Sequence, residues 1–388
     1  MKILLSLLVL TLFFFTSTAQ SSIELLSDFG IMNNRINEPL LSGSYGFLDT
    51  REKNEIISAL RKHNGLQIEA NNSLNYQNKN GWSLTLSNQI AAYANYSKNL
   101  VQLTLLGNSP FKGHKLDLSP LDITAYHYSK LEFGYLLNSK FKSSIAFITG
   151  HQMANLELIK GDFYTHQNAD YIEYDLNFQS HYTDTSKLWS NPFEINGIGA
   201  AFSFSYSDTI PNGSIAFNAK DIGFIAWNEK TKHTMVQSQW KFEGIDVSDF
   251  VAFNDSLIQN EFDSIQNIFK SVNQEEYIWR IPPTLEMYIY QKSCSKIFDA
   301  YSLTLMHKLG IYTKIRMAFN LHKSVKKHHF TLGYHLGGFE RNGFQIAYHL
   351  KGKKTHIQLF SKQANSIDPL RNYGLHIGIG IKRVFSKL

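Results

Sequence analysis

From residue 311 to residue 385 the chain alternates apolar and polar side chains with a period of two. In 311–322 the apolar positions are Ile311, Ile315, Met317, Phe319 and Leu321, with Thr313 the exception, and Lys314, Arg316, Asn320 and His322 fall between them. In 328–336, Phe330, Leu332, Tyr334 and Leu336 oppose His329, Thr331 and His335; in 344–351, Phe344, Ile346, Tyr348 and Leu350 oppose Gln345, His349 and Lys351. In 373–385, Tyr373, Leu375, Ile377, Ile379 and Ile381 oppose Gly374, His376, Gly378, Gly380 and Lys382. Successive side chains of a strand point to opposite faces, so each run is a strand with one apolar and one polar face. Weaker versions recur at 131–137, 172–182, 198–206 and 236–242.

Such a pattern fits a soluble sandwich or a membrane barrel. Charged residues make up only 18% of the chain, while aromatics reach 14% and gather near segment ends, at Trp82, Tyr206, Trp227, Trp240 and Tyr373. Low charge and aromatic girdles favour the barrel. The N-terminus agrees: Met1-Lys2, an apolar run over 3–15 and Ser17-Thr18-Ala19 before Gln20 have the layout of an export signal. That run is short for a spanning helix, and no later stretch has eighteen consecutive apolar residues. One cysteine, Cys294, rules out an internal disulfide.

The expectation is an all-β fold: a single antiparallel transmembrane β-barrel of about fourteen strands, within twelve to sixteen. Residues 1–19 form the signal peptide. Residues 20–65 form an N-terminal segment that could plug the lumen, with a short helix over 51–63 and Thr50 as its N-cap. The barrel then occupies 66–388. Residues 100–106 read as a short strand belonging to an insert, and 106–120, rich in Gly, Asn, Pro and Ser, as a loop. Within 247–270, Phe250, Leu257, Ile258, Phe262, Ile265 and Phe269 recur at helical spacing, which predicts an amphipathic helix that packs on the barrel mouth or else docks an envelope partner.

Three stretches carry a family resemblance: Leu106-Gly-Asn-Ser-Pro-Phe-Lys-Gly113, Tyr128–Tyr135 with its Glu132-Phe-Gly-Tyr135, and Asn196-Gly-Ile-Gly-Ala200 running on to Asp221-Ile-Gly-Phe-Ile-Ala-Trp227. With these the chain resembles the Bacteroidota-type outer-membrane barrels of unknown function, which are distantly similar to FadL-type channels. The resemblance implies a barrel and an outer-membrane location, and supplies no catalytic residues.

Charge is divided unevenly. Residues 301–388 hold fifteen Lys or Arg and two acids, a net +13, so the first 300 residues carry −7 of the overall +6. If the apolar faces meet lipid, Lys314, Arg316, His322, His329, His335, His349, His356, His376 and Lys382 form a basic lumen wall. Glu69, Glu132, Glu173 and Asp175 form an acidic one. Facing walls of opposite sign would filter polar solutes; in a plugged barrel they would neutralise each other instead. Lys326, Lys327, Lys353 and Lys354 fall at predicted turns, where lipid head groups and lipopolysaccharide phosphates are the natural contacts.

No catalytic, cofactor or metal set stands out. His328 and His329 point to opposite faces, and His322, His335 and His349 have no carboxylate or cysteine beside them. No nucleic acid is expected. Two functions remain: a channel or solute-binding barrel for small polar, anionic or apolar molecules, or a non-catalytic accessory subunit of an outer-membrane secretion or assembly complex.

Overall fold

A computed structural model describes residues 21–33, 48–183, 191–243, 272–311, 314–339, 341–364 and 374–385. The expected signal peptide, residues 1–19, and the helix expected over 247–270 both fall outside the described residues. The strands are β1 (Ser21–Asn33), β2 (His63–Gln77), β3 (Trp82–Ser97), β4 (Lys115–Asp117), β5 (Leu121–Leu136), β6 (Phe141–Thr165), β7 (Ile172–Tyr182), β8 (Gly197–Ile210), β9 (Gly213–Trp227) and β10 (Lys232–Phe242). They continue with β11 (Val272–Gln274), β12 (Tyr277–Ile281), β13 (Thr284–Lys292), β14 (Ala300–Lys308), β15 (Arg316–Val325), β16 (His328–Gly337), β17 (Arg341–Lys351), β18 (Thr355–Gln363) and β19 (Gly374–Phe385).

Fourteen antiparallel strand positions close into a barrel. The wall runs β1-β2-β3-β5-β6-β8-β9, then β12 and β13 in one position, then β14 to β19. Pro282 and Pro283 interrupt that shared position, since proline cannot donate to a ladder. β19 returns to β1, from Ser21↔Phe385 to Met32↔Gly374, leaving no edge in the wall. At one end, with β1's start and β19's end, the connections are the tight 78–81, 137–140, 211–212, 293–299, 326–327 and 352–354. The long connections are all at the other end.

The alternation decides which way each side chain faces. Phe319, Leu332, Ile346 and Ile379 are 44–54% exposed on the outer surface, whereas Arg316, His335 and His376 are 8% exposed or less inside. Leu25, Leu86, Leu131, Phe147, Phe202 and Phe224 continue the outward apolar face around the wall. An apolar exterior with no free strand edge is matched to a hydrocarbon phase. At the turn end Trp82 lies 5.2 Å from Tyr76 and Tyr206 lies 4.9 Å from Phe141, ring centre to ring centre, forming part of an aromatic girdle. Two expected girdle residues lie elsewhere: Trp227 is buried in the lumen cluster, and Trp240 is on β10, outside the wall. Tyr373 lies outside the described residues.

The N-terminal segment differs from the expectation. Its first strand is β1, paired on both edges, so the barrel starts at Ser21 and not at 66, and this part of the segment is wall rather than plug. The short helix is α1 (Thr50–Ala59), in the connection from β1 to β2. Its N-cap is Asp49, not Thr50: the Asp49 carboxylate accepts from Glu52 N and the Glu52 carboxylate accepts from Asp49 N, both at 2.8 Å. Residues 98–106, expected in part as a strand, form helix α2 (Lys98–Leu106), capped by Ser97 and ended at Gly107. Beyond it come a 3-10 turn (Ser109–Phe111) and β4.

β6 is long enough to leave the wall. Its second half pairs with β7, β7 with β10, and β10 with β11, while β4 pairs with its other edge. These strands make a rim sheet at the long-loop end.

Candidate lumen site

At the loop end the lumen is filled by one apolar cluster: Ala91, Tyr93, Tyr126, Tyr128, Ala146, Ile148, Met153, Ala201, Ile225, Trp227, Trp279, Ile281, Ile311 and Phe339. Its members come from both sides of the barrel. Tyr126 on β5 meets Trp279 on β12 at 5.0 Å, and Tyr93 on β3 stacks on Phe339, beyond β16, at 5.9 Å. Phe339 is seated against Gly65, where a Cβ would come within 2.3 Å of its ring. Glycine is needed there because the ring takes the space of a side chain.

Below the cluster, ion pairs cross the lumen. Lys308 on β14 reaches Glu69 on β2 at 3.1 Å, seven strand positions away in either direction. The same ammonium bonds the Tyr93 and Tyr126 hydroxyls, and Tyr93 donates to Glu69. Lys130 lies between Glu132 at 2.9 Å and Asp221 at 2.6 Å. Asp28 accepts from Asn71 at 2.9 Å, with Lys362 at 3.7 Å and His376 at 3.8 Å. A cavity of about 310 Å³ lies among these groups.

Local sequence places these partners. A register shift in β9, between Phe202 and Phe204 of β8, brings both Lys220 and Asp221 to that cavity. Asp221 takes φ of 60°, a left-handed conformation that Asp tolerates better than most residues. A second shift, between Phe360 and Gln363 in β18, accompanies Lys362, which lines both lumen cavities.

The turn-end half of the lumen is different. A cavity of about 510 Å³ is lined there by His322, His329, His349, Lys323, Lys351 and Lys362, with Tyr288, Tyr290, Asn320, Gln345 and Gln358. Among the described residues, no carboxylate lines it. Lys323 is held by Asp299 at 3.1 Å. His322 is fixed between the Ser302 and Thr331 hydroxyls at 2.9 and 3.0 Å, and His329 bonds the Ser324 hydroxyl at 2.7 Å. Phe360 forms part of the floor, its ring so close to Gly378 that a Cβ there would lie 2.2 Å away. Gly378 thus leaves room for the ring on the lumen side of the wall.

The expected basic wall is therefore divided. His322, His329 and His349 share the turn-end cavity, and Arg316 lies deeper, at the second cavity, donating to the Lys362 carbonyl at 3.1 Å. His335 and His376 are fully buried. His356 and Lys382 are register partners near the turn end, with Lys382 3.8 Å from Glu24. Lys314 does not join them: it precedes β15, exposed at the loop end.

The acidic wall needs a larger correction. Glu69 and Glu132 are in the lumen, but each is paired with a lysine. Glu173 and Asp175 are on β7, in the rim sheet, where Asp175 binds Lys160 and accepts from Gln239 at 3.1 Å. Their strand alternates like a wall strand, and alternation shows faces, not neighbours. Asp28, Lys130, Asp221, Lys308 and Lys362 were not singled out from the sequence. Lys308 is the lone Lys, Arg, Asp or Glu of β14, which is the signal that could have marked it.

An apolar-walled, closed barrel with an ion-paired lumen is a membrane-type β-barrel. Over residues 26–361 the chain matches the family described as "Family of unknown function (DUF5723)", and it belongs to that family. The unknown-function family expected from the sequence is thus met; the Bacteroidota attribution finds no support in these matches. No curated protein matches the chain. Among solved structures it is similar to a Pseudomonas aeruginosa FadL homologue, at 7% identity and a TM-score of 0.42, covering 95% of this chain and 91% of that one. It is also similar to the Ralstonia pickettii toluene transporter TbuX, at 7% identity and a TM-score of 0.39, covering 95% and 90%. The translocator domain of the autotransporter NalP from Neisseria meningitidis matches at 7% identity and a TM-score of 0.30, covering 99% and 94%. At such overlap neither cargo nor role transfers from any of them.

Proposed function

We propose that this protein is an outer-membrane barrel that holds small anionic solutes in its turn-end cavity and, in the conformation described, is closed toward the loop end. The observation that carries this reading is the cavity of about 510 Å³ lined by Lys351, Lys362 and three histidines, with no carboxylate among the described lining residues. Positive groups in a confined, poorly screened space favour an anion, and neighbouring Asn, Gln and Tyr side chains supply further hydrogen bonds to orient it. The short turns support a periplasmic position for the cavity's end, because outer-membrane barrels keep their long loops outside the cell.

The test is calorimetric titration of the purified, detergent-solubilised barrel with inorganic phosphate. Saturable binding should strengthen as pH falls, since protonated imidazoles add positive charge. A combined Lys351→Ala and His349→Ala substitution should weaken it by about tenfold or more, equivalent to about 1.4 kcal/mol. Absence of saturable binding, or binding indifferent to that substitution, would contradict the proposal.

A further inference from the structure

In the rim sheet, where Tyr277 joins it to the apolar cluster of the lumen, two histidines and a glutamate converge. His181 on β7 and His233 on β10 are direct register partners. Their rings stack with centroids 4.3 Å apart and planes 4° from parallel. Glu275, just beyond β11, places Oε1 2.9 Å from His233 Nδ1 and 3.6 Å from His181 Nε2. One donor atom from each residue falls within 4.8 Å of the others.

Backbone structure fixes all three. His181 and His233 belong to paired strands; Lys232 pairs with Gln274, and Glu275 N donates to the Thr231 carbonyl at 3.0 Å. Tyr277 stacks on His181 at 3.9 Å, so His181 lies between Tyr277 and His233.

We propose that His181, His233 and Glu275 form a binding site for a borderline divalent cation of the zinc type. Two imidazole nitrogens and one carboxylate are a recognised zinc donor set, and leave a fourth position for water. A hard cation such as magnesium is a poor match to two nitrogen donors. A metal lies in the plane of each imidazole it binds, so coordination turns one ring out of the parallel stack. His181 is held on both sides, and His233 is the ring that turns. The bound ion ties β7 and β10 to the segment that leads into β12, clamping the rim sheet to the barrel wall.

The test uses the full-length protein, purified in detergent, stripped with a chelator and titrated with zinc chloride alone. One zinc should bind per chain and raise the unfolding temperature, as a ligand of the native state must. Glu275→Gln keeps the backbone hydrogen bond and much of the side-chain shape, so it separates loss of a ligand from loss of fold. It and His233→Ala should each weaken zinc binding by about tenfold or more. His114→Ala, an exposed histidine of the connection between β3 and β5, should leave affinity unchanged. No saturable zinc binding by the wild-type protein, or wild-type affinity in Glu275→Gln and His233→Ala, would overturn the site.

Discussion

Ile379 and His349 both lie in strands of the barrel wall, yet the environments they face are opposite. Ile379 is on the outer surface, and His349 lines the turn-end cavity. Ile379→Arg should therefore cost about 2–4 kcal/mol of folding stability in a bilayer. His349→Arg, in a roomy polar cavity, should cost little. Denaturant titration of the refolded barrels checks this, and equal costs would mean the facing is wrong. Gly65 gives a second test at this scale. Gly65→Ala pushes on the Phe339 ring and should destabilise the barrel by about 1–3 kcal/mol. Adding Phe339→Leu should recover part of that loss, since contacting residues couple. The facing of these residues was legible in the sequence, because period-two alternation in 328–336 and 344–351 follows directly from strand geometry. Which charges meet was not. Lys308 and Glu69 are 239 positions apart in the chain, and only the curvature of a closed wall brings them together.

Bulges decide which elements the sequence concealed. In β9 the phase of alternation changes at Lys220-Asp221, so one regular pattern cannot describe the strand. The shift brings Asp221 to Lys130, which is 9% exposed at its side chain. Asp221→Asn removes the charge and keeps a residue that tolerates positive φ. Because Glu132 remains beside Lys130, the loss should be about 1–3 kcal/mol, less than for a wholly orphaned lysine. A thermal or denaturant unfolding series checks it; an unchanged stability would show that the Lys130 triad contributes nothing to the fold. β6 also changes phase, between the partners of His127 and Tyr128. The extra residue, His151, is covered by Phe193 and bonds the Ser129 hydroxyl at 2.9 Å. β1 escaped notice for another reason: Ser27 breaks its apolar face, and Glu24 and Asp28 make it look like a polar leader. β7 and β10 were recognised as strands, but their membership in a rim sheet depends on the length of β6, which local patterning does not report.

At the scale of the whole molecule, the lumen is a graded column: an apolar cluster at the loop end, crossed ion pairs below it, and a basic cavity above the turns. A closed barrel of about fourteen strands was readable from the patterning; the separation of the lumen into these layers was not, since it depends on which inward side chains reach one another. Orientation has a direct probe in the one cysteine. Cys294 is exposed in the 293–299 connection at the turn end. A membrane-impermeant maleimide should label it only after the outer membrane is permeabilised, and labelling in intact cells would reverse the proposed orientation.

The central claim, a closed membrane barrel with an anion-holding cavity, is tested most directly by reversal potential across a salt gradient in a planar bilayer. The wild-type barrel should conduct little, since Lys308 and the aromatic cluster close the loop end. Lys308→Ala and Glu69→Ala with Phe339→Ala should open the lumen without leaving an unpaired carboxylate, and its reversal potential should show preference for anions that grows as pH is lowered. A wide-open wild-type pore, or cation selectivity in the opened variant, would contradict the account.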